Sequence, residues 1–267
     1  MTPQSSTFSR PEQIITFVPA KQAISHPEQI IKFIPQIQKP KLPQRVLIFD
    51  SGTLINLSMN GLLYILEELK KITNIKFLIT SQVKSETVDR PSNVPRFELG
   101  ALRIKEMINS EILQMPLSFN ISNESINLTT TELKEIANHM VEARGKWIEI
   151  VSDAEMSCLA LSKKLSEKGV ENMIAIDERT TRILAEKPEN LQKLMSDRLH
   201  FPVQLEKNNF QEFKKFRFIR STELVYVAYK KGVLHLKDPK ALEAALYATK
   251  YKGSSVSFDE INVLKKL

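Results

Sequence analysis

The stretch that decides the fold is Arg45-Val-Leu-Ile-Phe-Asp50-Ser-Gly-Thr53-Leu-Ile55. Its four consecutive apolar residues, 46–49, are typical of a central parallel strand that helices cover on both faces. The strand ends at Asp50, and the sequence predicts a turn at Ser51-Gly52. Ligands of open α/β sheets bind just beyond the carboxyl ends of the strands, so Asp50 is the first candidate for a functional role.

Apolar segments further along the chain alternate between strand and helix patterns. Short apolar runs predict strands at 75–79, 173–176 and 216–219. Helical patterns are predicted at 62–73, 82–89, 97–113, 130–144, 153–168, 222–231, 240–251 and 258–266, with Ser81 capping the second of them. This order favours right-handed βαβ units. We therefore expect an α/β fold over residues 44–267, a three-layer α/β/α domain with a mainly parallel sheet of about five strands.

Two segments depart from this regular pattern. Residues 186–214 are predicted to be an insertion of helix and loop. Residues 1–43 are rich in Pro and Gln and contain a two-copy motif, Pro11-Glu-Gln-Ile-Ile-Thr-Phe17-Val-Pro19 and Pro27-Glu-Gln-Ile-Ile-Lys-Phe33-Ile-Pro35. Two copies are too few for a solenoid. The N-terminal segment is expected to be a flexible tail, or alternatively a pair of docking motifs for a protein partner.

The composition is that of an ordinary globular protein. Of the 267 residues, 42% are hydrophobic and 26% are charged. No run of 18 apolar residues and no signal-peptide core is present, so we expect neither membrane insertion nor secretion. The single cysteine, Cys158, cannot form an internal disulfide and is expected to pack as a small apolar residue. These features predict a cytoplasmic protein.

Positive charge is concentrated near the C-terminus. Residues 207–252 hold eleven Lys or Arg against four acids, an excess equal to the net charge of +7 for the whole chain. Clustered Lys and Arg bind the phosphates of a polyanion such as nucleic acid, although a solvated surface has the same composition. The candidate phosphate contacts lie where the excess begins: Lys214, Lys215, Arg217 and Arg220.

Carboxylates follow strands or open helices at four places in the sequence. They are Asp50, Glu86, Asp153 with Glu155, and Asp177 with Glu178. Acids that converge on one sheet edge repel each other unless a cation neutralises them, and carboxylate oxygens suit Mg²⁺ or Mn²⁺. Such a site can activate water and stabilise the leaving oxygen of a phosphodiester.

Most of these acids also have a structural explanation. The segment Ser152-Asp-Ala-Glu155 has the form of a capping box, which would account for Glu155, and Asp153 would complement the helix dipole. Asp177 and Glu178 fit loop or first-turn positions, and Glu86 an exposed helical one. Asp50 is harder to explain in this way, because it follows four buried residues.

The order of the acids resembles that of the PIN-domain ribonuclease family, which includes toxins of toxin and antitoxin pairs and RNA-processing nucleases. The segments that carry the resemblance are Phe49-Asp50-Ser51-Gly-Thr53, Ile79-Thr-Ser-Gln-Val-Lys-Ser-Glu86, Asp153-Ala-Glu-Met-Ser-Cys-Leu-Ala-Leu161, Ile174-Ala-Ile-Asp177-Glu178-Arg179 and Ile219-Arg-Ser-Thr-Glu-Leu-Val-Tyr-Val-Ala-Tyr-Lys-Lys-Gly232. The tail and the insertion exceed a minimal PIN toxin. In each of the pairs 153/155 and 177/178, either acid matches the family's position.

The resemblance implies a Mg²⁺- or Mn²⁺-dependent endoribonuclease. Its catalytic metal cluster would be Asp50, Glu86, Asp153 and Asp177, with Glu155 and Glu178 as further or alternative metal ligands. Ser51 or Thr53 would hold the first carboxylate or a metal-bound water. RNA is the implied substrate, and a second copy of the chain is a candidate partner because PIN domains often pair. The alternative is a non-catalytic RNA-binding or scaffold module on the same fold.

Three other kinds of site do not fit the sequence. Aligning Gly52-Thr53-Leu54 with the haloacid-dehalogenase motif places Phe49 where the nucleophilic Asp belongs. The seven glycines form neither a dinucleotide-binding nor a P-loop fingerprint. The four histidines are scattered without the spacing of zinc ligands.

Overall fold

The computed structural model describes residues 45–206 and 210–267, which belong to the unit Leu42–Leu267. Its strands are β1 (Arg45–Phe49), β2 (Ile75–Leu78), β3 (Leu113–Gln114), β4 (Val141–Ala143), β5 (Lys146–Trp147), β6 (Glu171–Ala175), β7 (Gln204–Leu205) and β8 (Phe218–Ile219). Five of them form a parallel sheet in the order β3-β2-β1-β6-β8, and the other three form an antiparallel sheet in the order β5-β4-β7.

Helices flank the parallel sheet. They are α1 (Ser51–Met59), α2 (Tyr64–Ile72), α3 (Ser81–Lys84), α4 (Pro95–Asn109), α5 (Asn123–Asn138), α6 (Asp153–Glu167), α7 (Arg179–Glu186), α8 (Leu191–Leu199), α9 (Ser221–Lys230), α10 (Ala241–Tyr251) and α11 (Phe258–Lys266). The expected α/β class, with three layers and five strands, is confirmed. In the described residues, no helix has the length and apolar character needed to cross a membrane.

Strand β1 is the centre of the sheet and the centre of the core. It pairs with β2 on one side and with β6 on the other, so that Ile48 lies level with Leu78 and Ile174. Its last four residues are buried, as the apolar run predicts, and the Phe49 ring packs edge-on against Phe77 with 5.5 Å between the ring centres. This register aligns the carboxyl ends of three neighbouring strands.

The chain leaves β1 through a helix, and the predicted turn at Ser51-Gly52 is wrong. Helix α1 begins directly at Ser51, because the Asp50 carboxylate caps it by accepting a hydrogen bond from the Gly52 amide. The helix ends before Gly61, whose φ of 68° lies in the left-handed region that favours glycine. The single helix predicted over 62–73 is thus preceded by a separate one, and α2 begins only at Tyr64.

Three other boundaries differ from the sequence predictions. Thr80, not Ser81, caps α3, and the chain continues from α3 as a π-helical turn, Ser85–Asp89. Leu113, predicted as the last residue of a helix, instead begins the edge strand that pairs with β2. Helix α5 begins at Asn123, before its predicted start at residue 130, because the Ser122 hydroxyl accepts the Ser125 amide.

The segment 186–214, predicted as helix and loop, contains helix α8 and also strand β7. Short 3₁₀ turns at Pro188–Asn190 and Phe210–Glu212 stand at either side of α8 and β7. Strand β7 pairs with β4, so the segment contributes one strand of the small antiparallel sheet. The two-copy motif and the rest of residues 1–43 lie outside the described residues, and the expectations for them stay predictions.

Candidate functional site

Asp50 is a buried acid at the carboxyl end of the central strand. Its side chain is 3% exposed, and its backbone amide donates to Ala175 O across the sheet. One carboxylate oxygen, Oδ2, accepts the Gly52 amide at 3.0 Å. The other, Oδ1, is buried without a hydrogen-bond partner within residues 45–206 and 210–267. A buried acceptor without a donor is costly, which makes Oδ1 a candidate ligand atom.

Electrostatics place other acids around Asp50. The pKa of Asp50 is raised from 3.8 to about 7, first by burial and then by the negative charges of Glu155 and Glu86. Hydrogen bonds from the amides of Gly52 and Ser51 oppose the rise. The shift reflects both the lack of solvent and the nearness of other carboxylates.

Glu86 approaches Asp50 from the π-helical turn. The Ser51 hydroxyl donates to Glu86 Oε2 over 2.7 Å, and Ser51 is the residue next to Asp50 in the chain. The Ser51 and Thr53 hydroxyls therefore do not hold the first carboxylate, and the expected contact with a metal-bound water stays a prediction. Ser51 holds the second acid, while the buried Thr53 hydroxyl has no partner in the part of the chain that the structure describes.

Glu155 lies in the first turn of helix α6, and after burial its negative charge contributes most to the raised pKa of Asp50. The predicted capping box is present, since the Ser152 hydroxyl accepts the Glu155 amide and the Ser152 amide donates to Glu155 Oε2. The same Oε2 also accepts the Thr181 hydroxyl at 3.2 Å. Burial raises the pKa of Glu155, and the charge of Glu178 raises it further. The capping role and a place near Asp50 are thus compatible.

Glu178 precedes α7, and its negative charge acts on Glu155. It caps that helix by accepting the Thr181 amide at Oε2 over 2.7 Å. Thr181 therefore holds two acids, Glu155 through its hydroxyl and Glu178 through its backbone. We call Asp50, Glu86, Glu155 and Glu178 the acidic edge.

Asp177 has a different environment from its neighbour Glu178. Its Oδ1 accepts the Ser221 amide at 2.8 Å and the Ser254 hydroxyl at 2.9 Å, and its Oδ2 accepts the Asn56 amide group at 2.9 Å. Both oxygens are thus engaged by buried donors. The carboxylate joins α1, the start of α9 and the chain after α10. Asp177 is therefore placed as an internal anchor, and within this pair Glu178 is the acid of the edge.

Asp153 also lies apart from Asp50. Its side chain is exposed and accepts the Lys134 ammonium at 2.9 Å, and Lys134 in turn pairs with Glu149 at 2.8 Å. Of the pair 153/155, Glu155 is the acid whose charge acts on Asp50. Of the expected set, Asp153 is thus an exposed acid paired with Lys134, and Asp177 is held by internal donors. The catalytic and metal-binding roles of the set Asp50, Glu86, Asp153 and Asp177 stay a prediction.

Three of the four predicted RNA contacts, Lys214, Lys215 and Arg217, do not share this end of the sheet. Arg217 precedes β8, and its guanidinium donates to Glu171 and to Asn172 O. Glu171 opens β6 and also pairs with Arg45, the first residue of β1. Arg217 thus lies at the amino ends of the parallel strands, opposite the acidic edge. Lys214 and Lys215, just before it in the chain, are exposed.

Arg220 follows β8 at the correct end of the sheet, but it is buried. Its guanidinium donates to Glu223, to Glu260 at 2.8 Å and to Ser255 O at 3.0 Å. These partners occupy the donors that a phosphate would need. The structure therefore places Arg220 as a tie between α9 and the segment that begins α11, and not on the surface expected for it.

Two clefts flank the acidic edge. Glu178 lines a cleft of about 630 Å³ together with residues of α7 and α8. Glu86 lines a cleft of about 460 Å³ that also contains Arg90, Lys134 and Asp153. Within 45–206 and 210–267, no group of three or more His, Cys, Asp or Glu side chains is arranged to hold a metal ion.

The site contains residues that the sequence analysis did not single out. Thr181 and Asn56 orient acids, and both are polar residues that are buried inside helices.

Comparison of the chain with family models, with curated proteins and with solved structures finds no match.

Cys158 is buried with Sγ 3.6 Å from Phe49 O, which confirms its packing role.

The pKa of Asp50 predicts a pH-dependent stability in the absence of divalent cations. Between about pH 4 and pH 7 the folded chain holds a proton on Asp50 that the unfolded chain has lost, so the free energy of unfolding should fall as pH rises through this window. The loss should be on the order of 4 kcal/mol. In D50N this contribution is absent, and the variant should become the more stable protein near pH 7.

Urea unfolding of both proteins in EDTA, at intervals from pH 4 to pH 8, measures the difference. Asparagine also caps helices well, so the start of α1 should be preserved. Parallel stability curves for the two proteins would show that Asp50 does not titrate in this window.

Replacement of the two predicted aspartates should separate an internal anchor from a surface acid. Asp177→Ala leaves the Ser221 amide, the Ser254 hydroxyl and the Asn56 amide group without an acceptor, and should cost about 3 kcal/mol or more. Asp153→Ala removes only an exposed ion pair and should cost less than about 1 kcal/mol. Chemical denaturation measures both values, and equal losses would contradict the anchoring role of Asp177.

Proposed function

We propose that this protein is a metal-dependent endoribonuclease of the PIN type, which hydrolyses RNA phosphodiester bonds at the acidic edge. The observation that supports this most is Asp50, a carboxylate with one oxygen that has no partner within the described residues. Burial, together with the charges of Glu155 and Glu86, raises its pKa to about 7. Such an arrangement is unfavourable unless a proton or a cation neutralises it. Its position beyond the central parallel strand is the usual one for a ligand site in this architecture.

The chemistry of the donor set fits Mg²⁺ or Mn²⁺. All the acids of the edge offer carboxylate oxygens, which are hard ligands, and Asp50 Oδ1 has no protein donor to give up within the described residues. The residues that would hold the metal are Asp50, Glu86, Glu155 and Glu178. When bound, the ion would supply an activated water and would stabilise the leaving oxygen of the phosphodiester.

The chain's own residues prepare this site. Ser51 fixes Glu86, and Thr181 fixes Glu155 and Glu178, so three flexible side chains are held before a ligand arrives. With its pKa raised to about 7, Asp50 would be partly protonated near neutral pH, and a cation bound at the edge would favour the ionised form. Burial of Asp50 keeps bulk water from its carboxylate.

One observation favours the alternative, a non-catalytic RNA-binding or scaffold module. Glu86, Glu155 and Glu178 each accept a hydrogen bond from the protein, and no group of acids in the described residues is arranged to hold a metal ion. A cation would therefore have to draw these side chains inward. We also propose that the protein is cytoplasmic, that residues 1–43 bind a protein partner, and that the chain pairs with a second copy of itself. These three proposals hold for the nuclease and for the non-catalytic alternative.

The nuclease proposal predicts cleavage that depends on a divalent cation and on the acidic edge. We expect purified full-length protein to cut an end-labelled single-stranded RNA with Mg²⁺ or Mn²⁺ and not with EDTA. Asp50→Asn and Glu155→Gln should each lower the rate at least about a hundredfold, which corresponds to about 3 kcal/mol in the barrier. Asp153→Asn is the matched control, since it alters an exposed acid of the same helix turn, and it should keep the rate within about threefold.

A thermal readout tests the metal without cleavage. Mn²⁺ should raise the melting temperature of the wild type and of D153N, but it should raise that of D50N much less. If the wild type and D50N gain equally, the metal does not bind at the acidic edge. If the RNA stays intact in all conditions, the non-catalytic alternative gains support.

A further inference from the structure

The cleft beside Glu178 is lined by three cations that form no ion pair within the part of the chain that the structure describes. It lies between the start of α7 and the exposed side of α8, and Arg179, Lys193 and Arg198 line it together with Asn190. All three cations are exposed, and none forms an ion pair or a hydrogen bond with another residue in 45–206 or 210–267. Their charges are therefore available to an anionic ligand.

The charge balance distinguishes this cleft from the cleft on the other side of the acidic edge. Around the Glu178 cleft, three cations stand against two carboxylates, Glu178 and Asp197. Around the Glu86 cleft, Arg90 and Lys134 stand against three carboxylates, Glu86, Glu149 and Asp153. Two of those carboxylates already hold Lys134. A phosphate is thus favoured beside Glu178 and repelled beside Glu86.

Helix α8 presents its cations from a fixed position. Its apolar side is anchored in the core by Leu191 and Met195, which are buried. Gln192 donates to Val203 O, and the Val203 amide donates to the Ser196 hydroxyl, so the chain that follows the helix is also tied to it. Only the side chains of Lys193 and Arg198 need to be ordered when a ligand binds, which lowers the entropic cost.

We propose that the Glu178 cleft binds backbone phosphates of an RNA strand, next to the bond that the acidic edge acts on. This inference rests on the proposed function for the identity of the ligand. Glu178 belongs to both places, because its carboxylate is part of the acidic edge and it also lines the cleft. An RNA strand bound along the cations of the cleft would therefore reach the acidic edge that contains Asp50. The segment 186–214 then contributes to substrate binding, through α8 and not through Lys214 and Lys215.

The test compares two pairs of cations at opposite ends of the sheet. Binding of a fluorescein-labelled single-stranded RNA to the full chain is followed by anisotropy in EDTA, so that no cleavage occurs. The double variant Lys193→Ala with Arg198→Ala should bind about tenfold more weakly at low salt. Its plot of log affinity against log salt concentration should be flatter by roughly 1.4, since each phosphate contact to a single strand contributes about 0.7. The matched control, Lys214→Ala with Lys215→Ala, should keep affinity within about twofold and should keep the slope.

A further variant changes the charge of the cleft while it keeps the size of the side chain. Asp197→Asn removes one of the two carboxylates in the cleft and should tighten binding about twofold or more. Melting temperatures within a few degrees of the wild type would show that all variants are folded, as expected for changes at exposed positions. Exposed cations that only solvate the surface would leave both affinity and slope unchanged in the Lys193 and Arg198 variant, and that result would overturn the proposal.

The outcome is distinguishable from failure of the nuclease proposal. If the wild type binds RNA through Lys193 and Arg198 but does not cut it with Mn²⁺, the cleft is confirmed and the enzyme is not. If the wild type cuts RNA and the Lys193 and Arg198 variant cuts and binds equally well, the cleft is wrong and the enzyme stands. Failure of the wild type to bind RNA in EDTA at low salt would overturn the cleft proposal.

Discussion

The structure depends on the burial of one carboxylate at the end of its central strand. Asp50 closes an apolar run that is covered on both faces, so its charge cannot be solvated by water. The chain compensates in part through the amides of the first turn of α1, which act on the carboxylate as the positive end of a helix dipole. Gly52 helps by its lack of a side chain, since a Cβ there would lie 3.2 Å from Asp50 Oδ2. The remaining cost persists because burial and the negative charges of Glu155 and Glu86 act on the same carboxylate.

A second buried carboxylate shows the opposite solution. Asp177 follows the neighbouring strand, yet donors from three parts of the chain satisfy both of its oxygens. It therefore stabilises the fold without any ligand, while Asp50 keeps one oxygen without a partner in residues 45–206 and 210–267. The two acids illustrate how hydrogen-bond satisfaction separates a structural group from a chemically available one. Burial alone does not separate them, because both are almost fully enclosed.

The sequence was sufficient where physical signals are strong and local. Continuous apolar runs identified β1, β2 and β6 with the acids that follow them, because both faces of these strands are buried. Strand β3 was missed, since two residues at a sheet edge carry no period. The choice between Asp177 and Glu178 was not accessible, because successive residues after a strand point to different sides and only tertiary packing fills one of them. Arg217 and Arg220 lie three positions apart, but a strand between them sends their side chains to opposite ends of the sheet.

The π-helical turn that carries Glu86 ties the spacing of the chain to the chemistry of the site. Its widened turn is closed by the bond from the Arg90 amide to Ser85 O, five residues apart, where a regular helix would bond across four. Loss of one residue between β2 and Glu86 would turn the following side chains by about 100° around the helix axis. Such a deletion would carry Glu86 away from Ser51, and it would also turn Thr87 and Val88 out of their buried positions. The length of this segment is thus constrained both by the core and by the position of Glu86.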